Sequence, residues 1–435
     1  MTLPAPTSRR SVLKSIALLT GSLAAAPVVA ACGGGGGDRA SAKTLTVMNW
    51  DPPTGTPWND AFEKFTAKTG IEIKIQYTPT MTNYWAKTRA LLGSGDPPDL
   101  MRVDDDNIPN YGATGQLTDL ATYLKRDKLD RSDYFPAVYD MGRQADGTVP
   151  AWSVGIQPRV IFYNRTMFEK AGVELPPTTW TADGWTWDDF LDRARRLTKQ
   201  GQWGAAIVQD TGYEVVHPVN NGGDGPFSAD GKRFTLAGPE GLDAVQRVAD
   251  LTCAAHVQPD WASLKQDQRS NQMFVAGQLA MVEATSTFTS YASQNVKNFD
   301  WDIAPIPAMK QQMTYGSQLT WCIPKRAANP DGAWELLRFL SEGEGAENFA
   351  RTNYFVPGAR KAAALLKPSD KPPAHVGLFV DAADKSVLPG KIKGAEGAKN
   401  IYRPVLDDVY NCKTKAADAL PPLRAKVEQA MRGSS

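Results

Sequence analysis

Two kinds of hydrophobic pattern follow each other along the chain from residue 44 onwards. Residues 44–50 have the composition of a strand, 71–77 alternate apolar and polar side chains, and 99–103 form a short apolar run, which together predict three strands. Helical spacing of apolar residues over 60–68 and 84–92 predicts a helix between successive strands. This order is typical of a parallel sheet with helices on both faces.

A second series of strands and helices begins near residue 159. Further strands are predicted over 159–163, 204–209, 279–282, 301–304 and 319–323. Further helices are predicted over 187–199 and 239–254, from residue 329 onwards, and over 415–431. No internal repeat is evident. The two series of strands and helices predict two α/β bodies of similar size.

The first 31 residues have the composition of an export signal. Arg9 and Arg10 precede a short apolar run that ends in small residues. The paired arginines resemble a twin-arginine signal, and a general secretory signal is the alternative. The small residues before Cys32 resemble a bacterial lipobox, which predicts removal of residues 1–31 and lipidation of Cys32. An ordinary signal followed by a chance cysteine is the alternative.

Residues 32–43 form the predicted linker between the lipid and the folded body. Five consecutive glycines, Gly33 to Gly37, behave as a flexible coil. No later segment has the ~20 consecutive apolar residues that span a bilayer. We therefore expect an extracytoplasmic body that is lipid-anchored to the cell membrane, either in the periplasm or at the outer face of the cytoplasmic membrane.

Composition excludes some classes of function. The 48 Lys and Arg residues nearly balance the 47 Asp and Glu residues, so no broad basic field is available to neutralise nucleic-acid phosphates. The three histidines, His217, His256 and His375, are widely separated and lack metal-ligand spacing. No nucleophile elbow or phosphate-binding glycine loop is evident. We expect no catalytic residues, no metal and no cofactor.

Three cysteines follow the predicted linker: Cys253, Cys322 and Cys412. Their odd number allows at most one internal disulfide, and none of them belongs to a Cys-x-x-Cys pair. We expect buried thiols, and one disulfide is the alternative.

An ordered set of motifs identifies a known family. The most specific motif covers 162–172 and begins Phe162-Tyr163-Asn164; it is followed by Pro176-Pro177 and by the acidic-aromatic stretch 187–190. Supporting motifs cover 95–99, 220–224, 274–281, 301–307, 323–325 and 356–357. Together they resemble the family 1 extracellular solute-binding proteins of ABC importers, which include maltose-binding proteins. The resemblance covers nearly all of residues 44–430.

The resemblance implies a two-lobe, type II periplasmic-binding-protein-like α/β fold. Each lobe is then a mainly parallel sheet flanked by helices, and a hinge joins the lobes around a cleft. The implied first lobe comprises 44–151 plus 308–354, and the implied second lobe comprises 152–307 plus 355–435. Closure of the cleft on a ligand would be a hinge motion.

Positions after strand ends and at predicted crossings between lobes supply candidate ligand-binding residues. Ligands of open α/β sheets lie beyond the carboxyl ends of the strands. Aromatic faces suit the C–H patches of sugars, and carboxylates suit their hydroxyls. The candidates are Trp50, Asp51, Asp104, Asp105, Trp152, Tyr315, Gly316 and Trp321. The alternatives are core packing for the tryptophans, helix capping for Asp51 and a solvated loop for the acidic run.

The family pattern adds further candidates. Asn221 and Gly222 match a cleft loop, Tyr354 and Arg360 flank the motif at 356–357, and Glu283 follows the motif at 274–281. The family often carries Gly-x-Trp near this last position, and this chain does not.

The expected function is therefore solute capture. The resemblance implies a monomer that binds a mono- or oligosaccharide between its lobes and delivers it to the permease subunits of an ABC importer. One alternative is a binder of a non-sugar solute, such as a peptide or polyamine. The other is a surface lipoprotein that hydrolyses glycans.

Overall fold

The computed structural model describes residues 43–433, except residues 53, 55, 208–212, 267, 369–371 and 389. The predicted export signal, Cys32 and nearly all of the predicted linker lie outside the described residues. Within that part of the chain, no helix combines the length and apolar character needed to cross a bilayer.

Nine strands are present in the described residues. They are β1 (Thr44–Asn49), β2 (Glu72–Tyr77), β3 (Leu100–Arg102), β4 (Trp152–Asn164), β5 (Met281–Thr285), β6 (Trp301–Ala304), β7 (Thr314–Cys322), β8 (Val356–Pro357) and β9 (Ser386–Val387).

Helices cover both faces of the sheet. The α-helices are α1 (Pro57–Thr69), α2 (Met81–Ser94), α3 (Ile108–Ala113), α4 (Ala121–Arg126), α5 (Pro136–Asp140), α6 (Arg165–Ala171), α7 (Trp187–Leu197), α8 (Tyr213–Asn220), α9 (Pro239–Cys253), α10 (Trp261–Leu264), α11 (Arg269–Val275), α12 (Phe288–Asn295), α13 (Pro330–Ser341), α14 (Gly343–Arg351), α15 (Arg360–Ala363), α16 (Gly377–Asp384), α17 (Ala395–Tyr410), α18 (Ala416–Ala419) and α19 (Arg424–Met431). Short 3-10 helices cover Arg131–Asp133, Thr235–Ala237 and Pro421–Leu423.

The strands form one continuous mixed sheet with the order β2-β1-β3-β7-β4-β5. β1 pairs in parallel with β2 and β3. The pairs β3–β7, β4–β7, β4–β5 and β4–β6 are antiparallel. The predicted α/β class is confirmed. The expected parallel pairing is present among β1, β2 and β3. It is absent around β4, which pairs antiparallel with β5, β6 and β7.

We define the two lobes by two of the three large apolar cores of the described residues. The first lobe is the part built around a core that includes Leu45, Phe65, Leu100, Trp321 and Leu337. The second lobe is the part built around a core that includes Phe168, Trp185, Phe190, Val248 and Tyr402.

β4 and β7 contribute to both cores. Trp152 at the start of β4 and Trp321 near the end of β7 lie in the first-lobe core. Tyr163 in β4 and Tyr315 in β7, near the opposite ends, lie in the second-lobe core. The antiparallel pairing of these two strands therefore runs from one lobe into the other.

Local capping signals explain several helix starts. The Asn164 side chain accepts a hydrogen bond from the backbone N–H of Met167 at the start of α6. Thr186 and Asp189 form a reciprocal capping box at the start of α7. The Asn329 side chain accepts from Gly332 N–H at the start of α13. Such caps satisfy N–H groups that a helix itself leaves unpaired, so these starts are readable from local sequence.

Some predicted elements differ from the observed ones. The strand predicted over 204–209 appears only as isolated bridges at Trp203 and Ile207, and residues 208 and 209 lie outside the described residues. The helix predicted over 415–431 is divided among α18, a 3-10 turn and α19. Helix α17 was not among the predicted elements, and Pro404 lies inside it.

A disulfide joins the ends of two helices in the second lobe. Cys253 ends α9, and Cys412 lies just beyond α17, with a Cα–Cα distance of 5.5 Å. The expectation of a free thiol is wrong for these two residues and confirmed for Cys322, which is buried. The pairing depends on the packing of α9 against α17, which sequence spacing does not reveal.

We expect removal of this disulfide to destabilise the protein. The bond closes a loop with a sequence separation of 159 residues, and restricting so long a loop in the unfolded chain stabilises the fold by about 2–5 kcal/mol. The double variant Cys253→Ser, Cys412→Ser should show this loss in urea denaturation without reductant. Reductant should lower the stability of the parent to that of the variant and leave the variant unchanged. Equal stability of parent and variant would contradict the prediction.

Candidate functional site

A narrow gap separates the two lobes where the carboxyl end of β3 faces α8 and α17. Its described lining residues come from both lobes and are Asp105, Asp106, Pro109, Met141, Glu214, Val215, Pro226, Phe227, Leu388, Gly390, Lys391, Ile392, Ala395 and Lys399. The gap has a volume of about 30 Å³. Ligand pockets usually enclose ~300–1,000 Å³, so this arrangement leaves room for about one water molecule.

Three consecutive carboxylates follow β3, and each has a different partner. Asp104 accepts hydrogen bonds from the backbone and side-chain amides of Asn107, at 2.9 and 2.8 Å. Asp105 accepts from the Tyr315 hydroxyl at 2.9 Å. Asp106 forms an ion pair with Lys399 of the second lobe. The run is therefore held in a fixed arrangement at the edge of the gap.

Burial raises the pKa values of two of these carboxyl groups above the ordinary value of an aspartate. It raises the pKa of Asp104 to about 6, and the charge of Asp106 adds to the effect. Burial also raises the pKa of Asp105 to about 7; the hydrogen bond from Tyr315 opposes this effect, and the charges of Asp106 and Asp104 add to it. Shifted carboxyl pKa values are frequent at functional sites, although structural networks also produce them.

A buried arginine fixes the end of β1. The Arg102 guanidinium lies 4.4 Å from the ring centre of Trp50 and donates to the Asp51 carboxylate at 2.9 Å. Its other neighbours are the rings of Trp58 and Trp321, at 5.5 and 5.2 Å. This cation–π and ionic contact orients the two residues predicted to bind ligand at the end of the first strand.

Half-buried aromatic rings adjoin Trp50 on the first lobe. Trp85 lies 6.2 Å from Trp50 and stacks on Tyr111 at 5.8 Å with an interplanar angle of 24°. These rings pack against the same apolar cluster as Leu388, which lines the gap. Flat half-buried rings beside carboxylates can contact both the C–H faces and the hydroxyls of a sugar.

Two lysines of the second lobe face the first lobe across the gap. Lys399 lies on α17, which is fixed to α8 because Tyr402 and Arg403 both donate to the buried Glu214 carboxylate. Lys391 precedes α17 and donates to the carbonyl oxygens of Asp140 and Arg143, at 2.8 and 2.6 Å. Burial lowers the pKa of Lys391 to about 8 against the opposing effect of Asp140 and Asp105.

The family assignment follows from the sequence as a whole. The pattern of the family described as bacterial extracellular solute-binding protein matches residues 60–377. The chain belongs to this family. Family members bind solutes and are not enzymes, so the expected absence of enzymatic activity is confirmed and the glycan-hydrolase alternative is excluded.

Similar proteins agree with this assignment. A putative binding protein of Brucella abortus (strain 2308) is 21% identical over 405 residues, which cover 89% of this chain and 93% of that protein. The structure of ABC substrate-binding protein Lmo0181 from Listeria monocytogenes in complex with cycloalternan has a TM-score of 0.76 and 22% identity and covers 90% of this chain and 98% of that chain. An ABC transporter solute-binding protein from Thermotoga lettingae bound with α-D-tagatose has a TM-score of 0.75 and 19% identity and covers 89% and 100% of the two chains. These structural matches confirm the two-lobe fold.

Several predicted site residues lie inside the sheet. Trp152 is fully buried in the first-lobe core, and its Nε1–H donates to the Ser341 hydroxyl at 2.9 Å. It pairs across the sheet with Trp321, which is also fully buried. A β-carbon on Gly316 would lie 2.4 Å from Cγ1 of Ile156, so glycine permits the close pairing of β7 with β4. These placements favour packing roles over direct ligand contact.

Glu283 is buried in an ionic cluster of the second lobe. Its carboxylate lies 2.9 Å from His217 Nε2 and 3.5 Å from Arg159 Nη1. Burial alone would raise the pKa of Glu283, but His217 and Arg159 together hold this pKa below its ordinary value. The cluster neutralises charge beneath the strands, and Glu283 does not line the gap.

The remaining predicted residues are not among those that line the gap. Asn221 is buried and donates to Glu240 and Asp243. Gly222 is exposed at a separate surface depression, Tyr354 packs beside Phe355, and Arg360 forms an ion pair with Asp384. The structure therefore brings Asp105 and Asp106 to the gap, with Asp104, Tyr315, Trp50 and Asp51 next to them.

Sequence reasoning did not select five residues that the description of this region uses: Trp85, Asp106, Tyr111, Lys391 and Lys399. Trp85 and Tyr111 lie within helices rather than after strands, so the strand-end rule did not select them. The lysines reach the first lobe only through the packing of α17. The neighbouring aromatic residues Tyr84 and Trp85 in α2, together with Tyr111 in α3, were the one sequence feature that could have indicated an aromatic surface here. Among the described residues, no group of three potential metal ligands is present.

The raised pKa of Asp105 makes a stability prediction. In the unfolded chain this carboxyl group loses its proton near pH 3.8, whereas the folded state retains it up to about pH 7. The folded state therefore binds more protons between these values, and this group lowers stability as pH rises through that window. We expect Asp105→Asn to be more stable than the parent at pH 8, by on the order of 4 kcal/mol, and similar to it at pH 4.

Urea denaturation at both pH values measures this difference. The exposed Asp183 is a matched control, and Asp183→Asn should follow the parent at both values. A loss of stability in Asp105→Asn at pH 8 would refute the raised pKa of Asp105 in the folded state.

Proposed function

We propose that the chain is a membrane-tethered, extracytoplasmic protein that captures a mono- or oligosaccharide between its lobes and delivers it to an ABC importer. The observation that carries the proposal is the gap between the lobes, where carboxylates of the first lobe face lysines of the second lobe beside half-buried aromatic rings. The two solved relatives described above were determined with cycloalternan and α-D-tagatose, which supports a saccharide ligand.

Within this proposal, the polar contacts come from the acidic run and the end of β1. Asp104, Asp105 and Asp51 accept hydrogen bonds from sugar hydroxyls, and carboxylate acceptors make such bonds strong. Trp50, Trp85 and Tyr111 stack on the C–H faces. Asp105 supports this role because burial disfavours its charged form at neutral pH, and carboxyl groups with raised pKa values are frequent at functional sites.

The proposed mechanism is hinge closure about β4 and β7. A saccharide does not fit into the gap of about 30 Å³, so binding requires the lobes to separate first. The ligand then stabilises a reclosed state, by as much as its binding free energy is more favourable in that state than in the open one. We propose that the crossing lies within β7 rather than at the predicted boundary near residue 308, because Ile306 and Tyr315 both pack in the second-lobe core.

The proposed location depends on the N-terminal residues. A lipid on Cys32 and a glycine tether would hold the body at the membrane surface. The disulfide between Cys253 and Cys412 supports an oxidising, extracytoplasmic compartment, because structural disulfides are rare in the cytosol.

A charged non-sugar solute is the second candidate. Lys391 and Lys399 line the gap together with Asp105 and Asp106, and this mixture of charges suits a zwitterionic or charged ligand as well as a neutral sugar.

A thermal-shift screen tests the ligand class. A saccharide that binds only the folded protein should raise its melting temperature, and a concentration of ~100 times Kd adds about 2.7 kcal/mol of stability. The panel should include mono- and oligosaccharides, polyamines and short peptides. Stabilisation by polyamines or peptides alone would replace the sugar proposal by the second candidate.

The stabilising compound then serves as probe for the aromatic contacts. Trp85→Ala should weaken its binding by about 2–10-fold in calorimetry, because one aromatic contact contributes ~0.5–1.5 kcal/mol. Trp203, a half-buried tryptophan of the second lobe, provides the matched control Trp203→Ala, which should retain the affinity of the parent. Equal affinity of parent and Trp85→Ala would remove Trp85 from the site.

The tether is tested separately by Cys32→Ala. Without the acylated cysteine, the processed protein has no acyl chains to bury in the bilayer, and we expect it in the soluble extracytoplasmic fraction. Fractionation followed by immunoblotting measures the distribution, with the parent as membrane-bound reference. Retention of the variant in the membrane fraction would contradict the proposed anchor.

A further inference from the structure

A short second-lobe segment makes polar contacts to the first lobe at two points. Lys399 Nζ donates to Asp106 Oδ2, and only 8% of the Lys399 side chain is exposed. Lys391 Nζ donates to two carbonyl oxygens, those of Asp140 and Arg143, which follow one another around the end of α5. Each lysine therefore exchanges its hydration for partners on the opposite lobe.

An apolar contact lies beside these polar ones. Leu388 packs against the first-lobe cluster that contains Met48, Tyr84 and Met141, and it also packs against the apolar cluster of α16. We call the three residues Leu388, Lys391 and Lys399 the interlobe segment.

The interlobe segment is rigidly attached to the second lobe. Helix α17, which carries Lys399, is fixed to α8 through the Glu214 carboxylate and to α9 through the disulfide. A charged side chain presented by a fixed helix loses less conformational freedom on forming an ion pair than one on a mobile loop. Breaking this ion pair is unfavourable for Lys399, because its largely buried ammonium group loses its partner in a poorly hydrated place, whereas Asp106 is 45% exposed.

We propose that the interlobe segment is an autoinhibitory latch, which holds the ligand-free lobes together and competes with ligand entry. The gap of about 30 Å³ under the latch is too small for a sugar or a comparable solute. Lys399 must therefore separate from Asp106, and Lys391 from the two carbonyl oxygens, before a ligand can bind in the gap. The proposal rests on the two-lobe fold and not on the chemical nature of the ligand.

The latch lowers the apparent ligand affinity by mass action. If only a fraction of the molecules is open, the apparent Kd is the intrinsic Kd divided by that fraction. A latch that leaves ~10% of the molecules open weakens the apparent affinity about tenfold.

Small-angle X-ray scattering of the ligand-free protein tests the latch. We expect Lys399→Met, and more strongly Lys391→Met combined with Lys399→Met, to increase the radius of gyration because the lobes separate. Lys413, which pairs with Asp408 on the surface just beyond α17, gives the matched control Lys413→Met, and its radius should equal that of the parent. Circular dichroism on each variant checks that the fold is retained.

A charge exchange provides a second, independent readout. Asp106→Lys alone places like charges opposite each other and should increase the radius. The double variant Asp106→Lys, Lys399→Asp restores opposite charges and should return the radius towards that of the parent. An unchanged radius in the methionine variants, or a double variant as expanded as the single one, would overturn the proposal. Because these measurements use no ligand, their failure leaves the proposed solute class untouched, and a failed ligand screen leaves the latch untouched.

Discussion

The antiparallel pairing of β4 with β7 is the contact on which both lobes depend. The two strands carry buried tryptophans into the first-lobe core and buried tyrosines into the second-lobe core. Their ladder of backbone hydrogen bonds satisfies polar groups that would otherwise be buried without partners where the chain passes between the lobes. Gly316 permits the close approach of the strands at this point. One sheet therefore joins the two lobes, and β4 and β7 are the strands about which the proposed hinge motion would bend.

The same strand connects the hinge to the gap. Tyr315 lies in β7, and its hydroxyl donates to Asp105 at the edge of the first lobe. A change in the bend of β7 therefore changes the distance between a crossing strand and a carboxyl group at the gap. Arg102, the last residue of β3, likewise fixes side chains near the gap: its guanidinium orients Trp50 and Asp51 at the end of β1. The residues around the gap are positioned from beneath by buried groups, and such support would keep the proposed binding surface ordered without its ligand.

Much of the fold was readable from the sequence because local signals determine it. The caps at Asn164, Thr186 and Asn329 and the alternation over 71–77 each depend on neighbouring residues. The candidate site was less predictable. Asp105, which was selected because it follows a strand end, lies at the gap. Trp152, selected at a predicted crossing, and Trp321, selected near a strand end, lie inside the sheet, since the face that a strand residue occupies depends on its pairing register. Lys399 reaches Asp106 from 293 residues away, and no local pattern encodes that contact.

The crosslink between Cys253 and Cys412 bears on the order of events during biogenesis. A twin-arginine translocase carries proteins that have already folded, and the cytosol where they fold keeps thiols reduced. If this chain uses that route, α9 and α17 must dock by apolar packing alone, and oxidation follows on the far side of the membrane. Recombinant material prepared in a reducing cytosol would then correspond to the immature form, in which the helix that carries Lys399 lacks its covalent restraint.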